Sequence, residues 1–238
     1  MKTTRRSIFL TCALALTICT TTASAADAVE SGVMTQSMQA AITPAKALEM
    51  LKEGNERFVS GSSAGVNYLA QVKKTAAGQY PFAAVVTCVD SRTQPEIIFD
   101  QGIGDMFVAR VAGNFVNDDI LGSLEFATKV SGARIILVMG HTECGAIKGA
   151  CDDVELGLLT ATLANLNPAV TAASKGDYSP KDSTNAKFVQ AVADMNVKLT
   201  MQKLRDRSLV LRAMIDKGEI ALVGAMYDIT TGKTTFYE

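Results

Sequence analysis

The chain has 238 residues, 48% of them hydrophobic, with 23 basic and 24 acidic side chains, one histidine, five cysteines and no tryptophan. That near-neutral balance, with no basic cluster beyond short pairs such as Lys73-Lys74, argues against nucleic acid as a partner. No internal repeat or low-complexity linker divides the chain, and its length suits one domain with a full core.

Residues 1–25, "MKTTRRSIFLTCALALTICTTTASA", read as an export signal: a basic start, an apolar stretch too short and too threonine-interrupted for a membrane span, and Ala-Ser-Ala before Ala26. Thr4-Arg5-Arg6-Ser7-Ile8-Phe9 fits the twin-arginine pattern, and an ordinary secretory start that carries paired arginines fits as well. Neither Cys12 nor Cys19 sits in a lipoprotein-like box, so no membrane anchor is expected. A periplasmic or secreted protein follows, mildly acidic after cleavage because Lys2, Arg5 and Arg6 leave with the signal. Three cysteines remain, Cys88, Cys144 and Cys151, an odd number that makes a poor disulfide framework.

Residues 26–42 are small and polar without a sustained period and predict a flexible leader. A single domain is expected over 43–238. Thr43 caps a helix with Pro44 at its first position, Leu48, Leu51 and Phe58 share one face, and Gly61 stops it. A weaker helix covers 68–76. Strand 82–88, a short helix at 96–100, strand 106–111, helix 119–130, strand 134–140 and a helix opening at Cys144 then alternate. Residues 154–166 predict a helix, 167–184 a polar excursion, and 185–206 and 209–217 two further helices. Strand 219–229 and, across "TTGK", a short strand at 234–238 close the chain. Continuous β-branched runs separated by helices indicate an α/β fold, a mainly parallel central sheet flanked by helices, with an N-terminal helical arm and a C-terminal hairpin.

Ligands of open parallel sheets bind beyond the carboxyl ends of the strands. Cys88 ends one strand, His141 follows the end of another, and Cys144 lies one turn further on. Taken singly, each has a bland reading: buried thiols or a disulfide for the cysteines, a satisfied core histidine for His141. If the two strands are neighbours, the three donors converge, and two thiolates with one imidazole suit tetrahedral zinc. Cys151 lies two turns into the following helix and reads as a small apolar residue. The fourth metal position falls to Asp90 or to water. Two thiolates neutralise the charge of zinc, so a bound water is less acidified than at an all-histidine site and needs a nearby group to hold and deprotonate it. Asp90 can accept its hydrogen bond while Arg92 holds the carboxylate from two sides; the plainer reading of that pair is a loop salt bridge.

With Cys-x-Asp-x-Arg as "CVDSR" and His-x-x-Cys as "HTEC", the sequence resembles the β-class carbonic anhydrases. The resemblance runs from about Ala45 to the C-terminus through "GQYPF", "FVARVAGN", "GHTECGAIKGA" and "EIALVGAMYDITTGK". It implies zinc on Cys88, His141 and Cys144, an Asp90–Arg92 dyad, and reversible hydration of carbon dioxide to bicarbonate and a proton. It also implies a substrate pocket drawn from Gln79, Phe107, Ala112 and Phe126, the last standing where some members carry tyrosine. With no second histidine, proton export is expected to rely on water and buffer. Arg110 matches an arginine of a bicarbonate-binding pocket found in some members, but the tryptophan of that pocket is missing, so an open site is expected. Homodimers or dimers of dimers are implied, with N-terminal helices embracing the partner; the helix at 44–60 would then project, its apolar face incompletely covered. Three other readings remain: hydrolysis of carbonyl sulfide or carbon disulfide on the same fold, a non-catalytic zinc protein with Asp90 fixed on the metal, and a thiol redox protein built on Cys88 and Cys144.

Overall fold

The structure, a computed structural model, describes residues 32–63 and 65–237. The expected export signal lies outside the described residues, as does the start of the expected leader. Five strands form one sheet: β1 (Ala83–Thr87), β2 (Met106–Arg110), β3 (Ile135–His141), β4 (Ala221–Tyr227) and β5 (Thr234–Tyr237), in the order β2-β1-β3-β4-β5. The first four run parallel and β5 pairs antiparallel with β4. β1 and β3 are central and buried along their whole length, as expected of "AAVVT" and "IILVMGH", which carry no polar alternation. Alternate residues of β1 enter two separate apolar clusters, Ala84 and Val86 on one face, Ala83 and Val85 on the other.

The first of these faces is covered by α5 (Asp118–Glu125), α6 (Gly145–Cys151), α8 (Asn167–Ala173), α9 (Ala186–Arg207) and α10 (Leu209–Asp216). The second is covered by α2 (Pro44–Ser60) and α4 (Pro95–Ile98); α1 (Gln36–Ala41), α3 (Tyr68–Thr75) and α7 (Gly157–Ala164) complete the helices described. Among the described residues no helix is long and apolar enough to cross a membrane.

The ends of α2 are those the sequence predicts: Thr43 Oγ1 accepts from Lys46 N–H, Pro44 opens the first turn, and Gly61 closes it at φ +69°. Its placement differs from the expectation. Ala47 and Leu51 are fully buried against the chain's own sheet, and a Cβ at Gly54 would overlap the Phe99 carbonyl, so α2 lies tight on α4 instead of projecting.

Two other expectations are corrected. The leader at 26–42 contains α1, capped by the Thr35 hydroxyl and pinned by Gln39, whose Nε2 donates to Pro81 O at 2.7 Å and Ser131 O at 2.8 Å. One buried amide, not an apolar stripe, orders it. The polar excursion at 167–184 begins with α8, whose Ala169 and Ala173 are buried where it packs on α9. The helix expected at 119–130 is continuous, but its last turn, Phe126–Val130, is π-helical.

Candidate metal centre

Because β1 and β3 pair in parallel with Thr87 opposite Met139, their carboxyl ends lie side by side. Cys88 follows the end of β1, His141 is the last residue of β3, and Cys144 is the N-cap of α6. All three are buried, and one ligand atom from each lies within 4.8 Å of the others. The two sulfurs are 3.9 Å apart and not bonded. Bonds of about 2.3 Å to a tetrahedral zinc would separate two thiolates by about 3.8 Å, so the spacing fits. The imidazole fits as well. His141 Nδ1 lies 2.9 Å from Thr142 O and must donate to it, which leaves Nε2 with a lone pair. That nitrogen is buried and has no hydrogen-bond partner among the described residues, so its lone pair suits a metal ion.

The thiols act on each other. The Cys88 thiol is pulled down to about 4, first by Cys144, then by His141 and the Gly113 N–H, against the opposing effect of burial. Cys144 is pushed up, first by Cys88 and then by burial. The first proton leaves this pair readily and the second does not, because two anionic sulfurs this close repel; a divalent cation between them removes that penalty. Cys151 is buried in the same apolar cluster as Cys88 and Cys144 but outside the donor group, and its thiol is raised to about 11 by burial.

Asp90 stands at the rim. Arg92 holds it through Nε to Oδ1 at 2.9 Å and Nη2 to Oδ2 at 2.7 Å, and the Arg92 backbone N–H adds a third bond to Oδ1 at 2.9 Å. The guanidinium keeps this carboxyl well below the usual carboxylate range. Its Oδ2 is 3.9 Å from His141 Nε2, too far for a hydrogen bond.

Arg110 takes a part that sequence reasoning missed. At the end of β2, opposite Thr87, its Nε donates to Cys88 O (3.0 Å), Nη1 to Gln94 Oε1 (2.9 Å), and Nη2 to Asp90 O (2.6 Å) and Thr93 Oγ1 (3.3 Å). Arg110, which the resemblance matches to a bicarbonate-pocket arginine, clamps the chain's own 88–94 loop. Thr93 adds bonds from its hydroxyl to Cys88 O and Asp90 O. The only sequence signal for the clamp was an arginine ending a strand.

The expected pocket residues are dispersed. Ala112 adjoins Gly113, whose N–H reaches Cys88 Sγ at 3.4 Å. Phe107 and Phe126 meet edge to face at 6.0 Å and line a cavity of about 400 Å³ along β2. That cavity is walled by Ala84 and Val85, in the middle of β1, below the strand end that carries Cys88. Gln79 lines a separate cavity of about 370 Å³ beside Gly104, ahead of β1. Phe107 pairs in register with Ala84, four residues before Cys88, so within one chain these side chains do not converge on the triad.

A family model described as carbonic anhydrase matches residues 83–234. "Carbonic anhydrase 2" of Mycobacterium tuberculosis is 36% identical over 199 residues, which span 80% of this chain and 91% of that protein. Among solved structures, the β-carbonic anhydrase CafA of Aspergillus fumigatus superposes with a TM-score of 0.62 at 25% identity, over 82% of this chain and 90% of that one. One of two tetrameric β-carbonic anhydrases from Sordaria macrospora superposes at 0.61 and 24% identity, over 69% and 84%, and shows the same fold. A sheet ending in two cysteines and a histidine, and relatives matched over four-fifths of the chain, make this protein a member of the β-class carbonic anhydrase family.

Proposed function

We propose that this chain catalyses the reversible hydration of carbon dioxide to bicarbonate, with zinc held by Cys88, His141 and Cys144. One observation carries the reading: three buried donors lie within 4.8 Å of one another, one of them an imidazole nitrogen with no hydrogen-bond partner among the described residues, while the carboxylate that would close the site is tied to Arg92 instead. Zinc supplies Lewis acidity that makes a water molecule nucleophilic; carbonic anhydrase is the standard example of that effect, in a three-histidine form. With two thiolates among the ligands that effect would be weaker, and Asp90 would take up the difference by accepting a hydrogen bond from the attacking water and orienting it. Arg92 fixes the carboxylate and keeps it ionised. His141 is fully buried with Nδ1 committed to Thr142, so the chain's one imidazole is no proton shuttle, and buffer takes the proton.

We extend the reading to a homo-oligomer, a dimer or dimer of dimers, in which a second copy brings its Phe107 and Phe126 side to the site. The apolar cavity on edge strand β2 and the tetrameric relative support this. Export to the periplasm, or secretion, is proposed from residues 1–25, and exchange of Arg5-Arg6 for Lys-Lys tests the twin-arginine route.

Zinc content measured beside stopped-flow carbon dioxide hydration tests the main reading. The native protein is expected to carry zinc and turn over, and Asp90→Asn to keep the zinc and lose about 10²-fold or more in rate. Zinc without hydration activity would leave a binding protein, activity on carbonyl sulfide alone the hydrolase, and a native protein that takes up no zinc and cycles between dithiol and disulfide the redox protein; each overturns the proposal.

A further inference from the structure

On the face that α9 turns to the sheet, Asn196 is out of place. Its neighbours there are Val192, Ala193 and Val197, and it is only 3% exposed. A buried amide persists in such surroundings when its hydrogen bonds are met. Asn196 Nδ2 donates to Gly113 O at 2.7 Å, across 83 positions of chain, and the Gly113 N–H donates to Cys88 Sγ.

Gly113 is the joint between these bonds. Residues 111–114 form a turn closed by Asn114 N–H to Val111 O at 3.0 Å, with φ +85° at Gly113, the third position, which is the type II signature. The central peptide of such a turn carries the Gly113 N–H, which the turn itself leaves unused. Here it meets sulfur. The next peptide carries the carbonyl that Asn196 holds. Both planes meet at the Gly113 Cα; the Asn114 N–H that closes the turn holds one end of the second plane and Asn196 holds the other, at a glycine that has no side chain of its own to resist rotation. Leu166, itself fully buried, packs so close that a Cβ at Gly113 would come within 2.8 Å of it.

We propose that Asn196 is a positioning residue for the metal centre: by holding the Gly113 carbonyl it locks the turn so that the Gly113 N–H bonds the Cys88 thiolate, withdraws charge from that sulfur and tightens metal retention. This rests on the reading that Cys88 is a metal ligand. The plainer role, an amide that only satisfies a buried carbonyl, would leave the sulfur unaffected.

Cobalt(II) loading separates the two. In Asn196→Leu the thiolate-to-cobalt absorption is expected to move to longer wavelength, because a thiolate without its donor is richer in electrons, and zinc affinity measured against a chelator is expected to fall about 10-fold. Thr200→Val, equally buried one turn along the same helix, is expected to leave both unchanged. An absorption band and affinity equal to the native protein's in Asn196→Leu would overturn the proposal, as would equal shifts in Thr200→Val. Should Asn196→Leu fail to fold, Asn196→Ser, which leaves room for water on the Gly113 carbonyl, is expected to shift the band the same way by less; an unmoved band there overturns it. A native protein that takes up cobalt without any thiolate band sinks the metal-centre reading itself.

Discussion

Arg92 grips Asp90 by both carboxylate oxygens, at 2.9 and 2.7 Å, and so holds the second oxygen 3.9 Å from His141 Nε2. A carboxylate this close to the donor group would move onto a bound cation if released. Arg92→Ala is therefore expected to lower carbon dioxide hydration by about 10²-fold while zinc stays bound. Arg92→Lys, which supplies a point charge and no fork, should fall between the two. Stopped-flow rates beside metal analysis check this.

The two thiols at 3.9 Å give metal removal a chemical readout. A disulfide needs its sulfurs at about 2.05 Å, a small movement when nothing lies between them. Mild oxidation with diamide is expected to link Cys88 to Cys144 in the chelator-treated protein and to leave the zinc-loaded protein reduced. Peptide mass spectrometry after alkylation reads the outcome, and Cys151, outside the group, should remain alkylatable after unfolding in both samples.

Four donor contacts from Arg110 hold the 88–94 loop against β2. Arg110→Lys cannot reproduce the fork and is expected to cost roughly 2 kcal/mol of stability, the net worth of one hydrogen bond to a charged group. Activity should fall too, because Asp90 and Cys88 sit on the loop that is loosened. Urea denaturation together with hydration rates would show both effects.

Asp228 organises the turn between β4 and β5, its Oδ1 accepting from the Thr230 N–H at 2.7 Å and the Thr231 N–H at 3.4 Å. The Thr230 N–H, first among its partners, lowers its pKa in the folded chain. A depressed carboxyl stabilises the fold above its unfolded value of about 3.9, and the contribution is lost as pH falls through the folded value. Asp228→Asn is accordingly expected to be less stable than the native chain at pH 7 and to match it in strong acid. Urea melts across that range check the sign.

Where the chain carries strong local signals, the sequence was readable. Thr43, Pro44 and Gly61 bound α2 to the residue, and unbroken apolar runs marked β1 and β3. The metal triad was legible because cysteine and histidine are so scarce in this chain that their placement at two strand ends stood out. Features fixed by distant partners were not. α1 depends on Gln39 reaching carbonyls 42 and 92 residues away, and the Arg110 clamp depends on β2 lying beside β1 in one register. Asn196 looked like any polar residue of a long helix until Gly113 was seen beneath it. The dispersal of Gln79, Phe107 and Phe126 has the same origin, since residue types name a pocket without saying where the sheet register sets each side chain.

β1 and β3 are interior strands, each hydrogen-bonded on both sides as β4 also is, and they deliver two of the three donors. Their amides should exchange with deuterium only when the whole molecule opens, so the slowest-exchanging protons report global stability. A cation that engages a site existing only while those strands are paired adds its affinity to that stability. Protection factors along 83–87 and 135–141 should then climb together, tenfold for each tenfold rise in free zinc beyond saturation, while frayed surface helices stay indifferent to the metal.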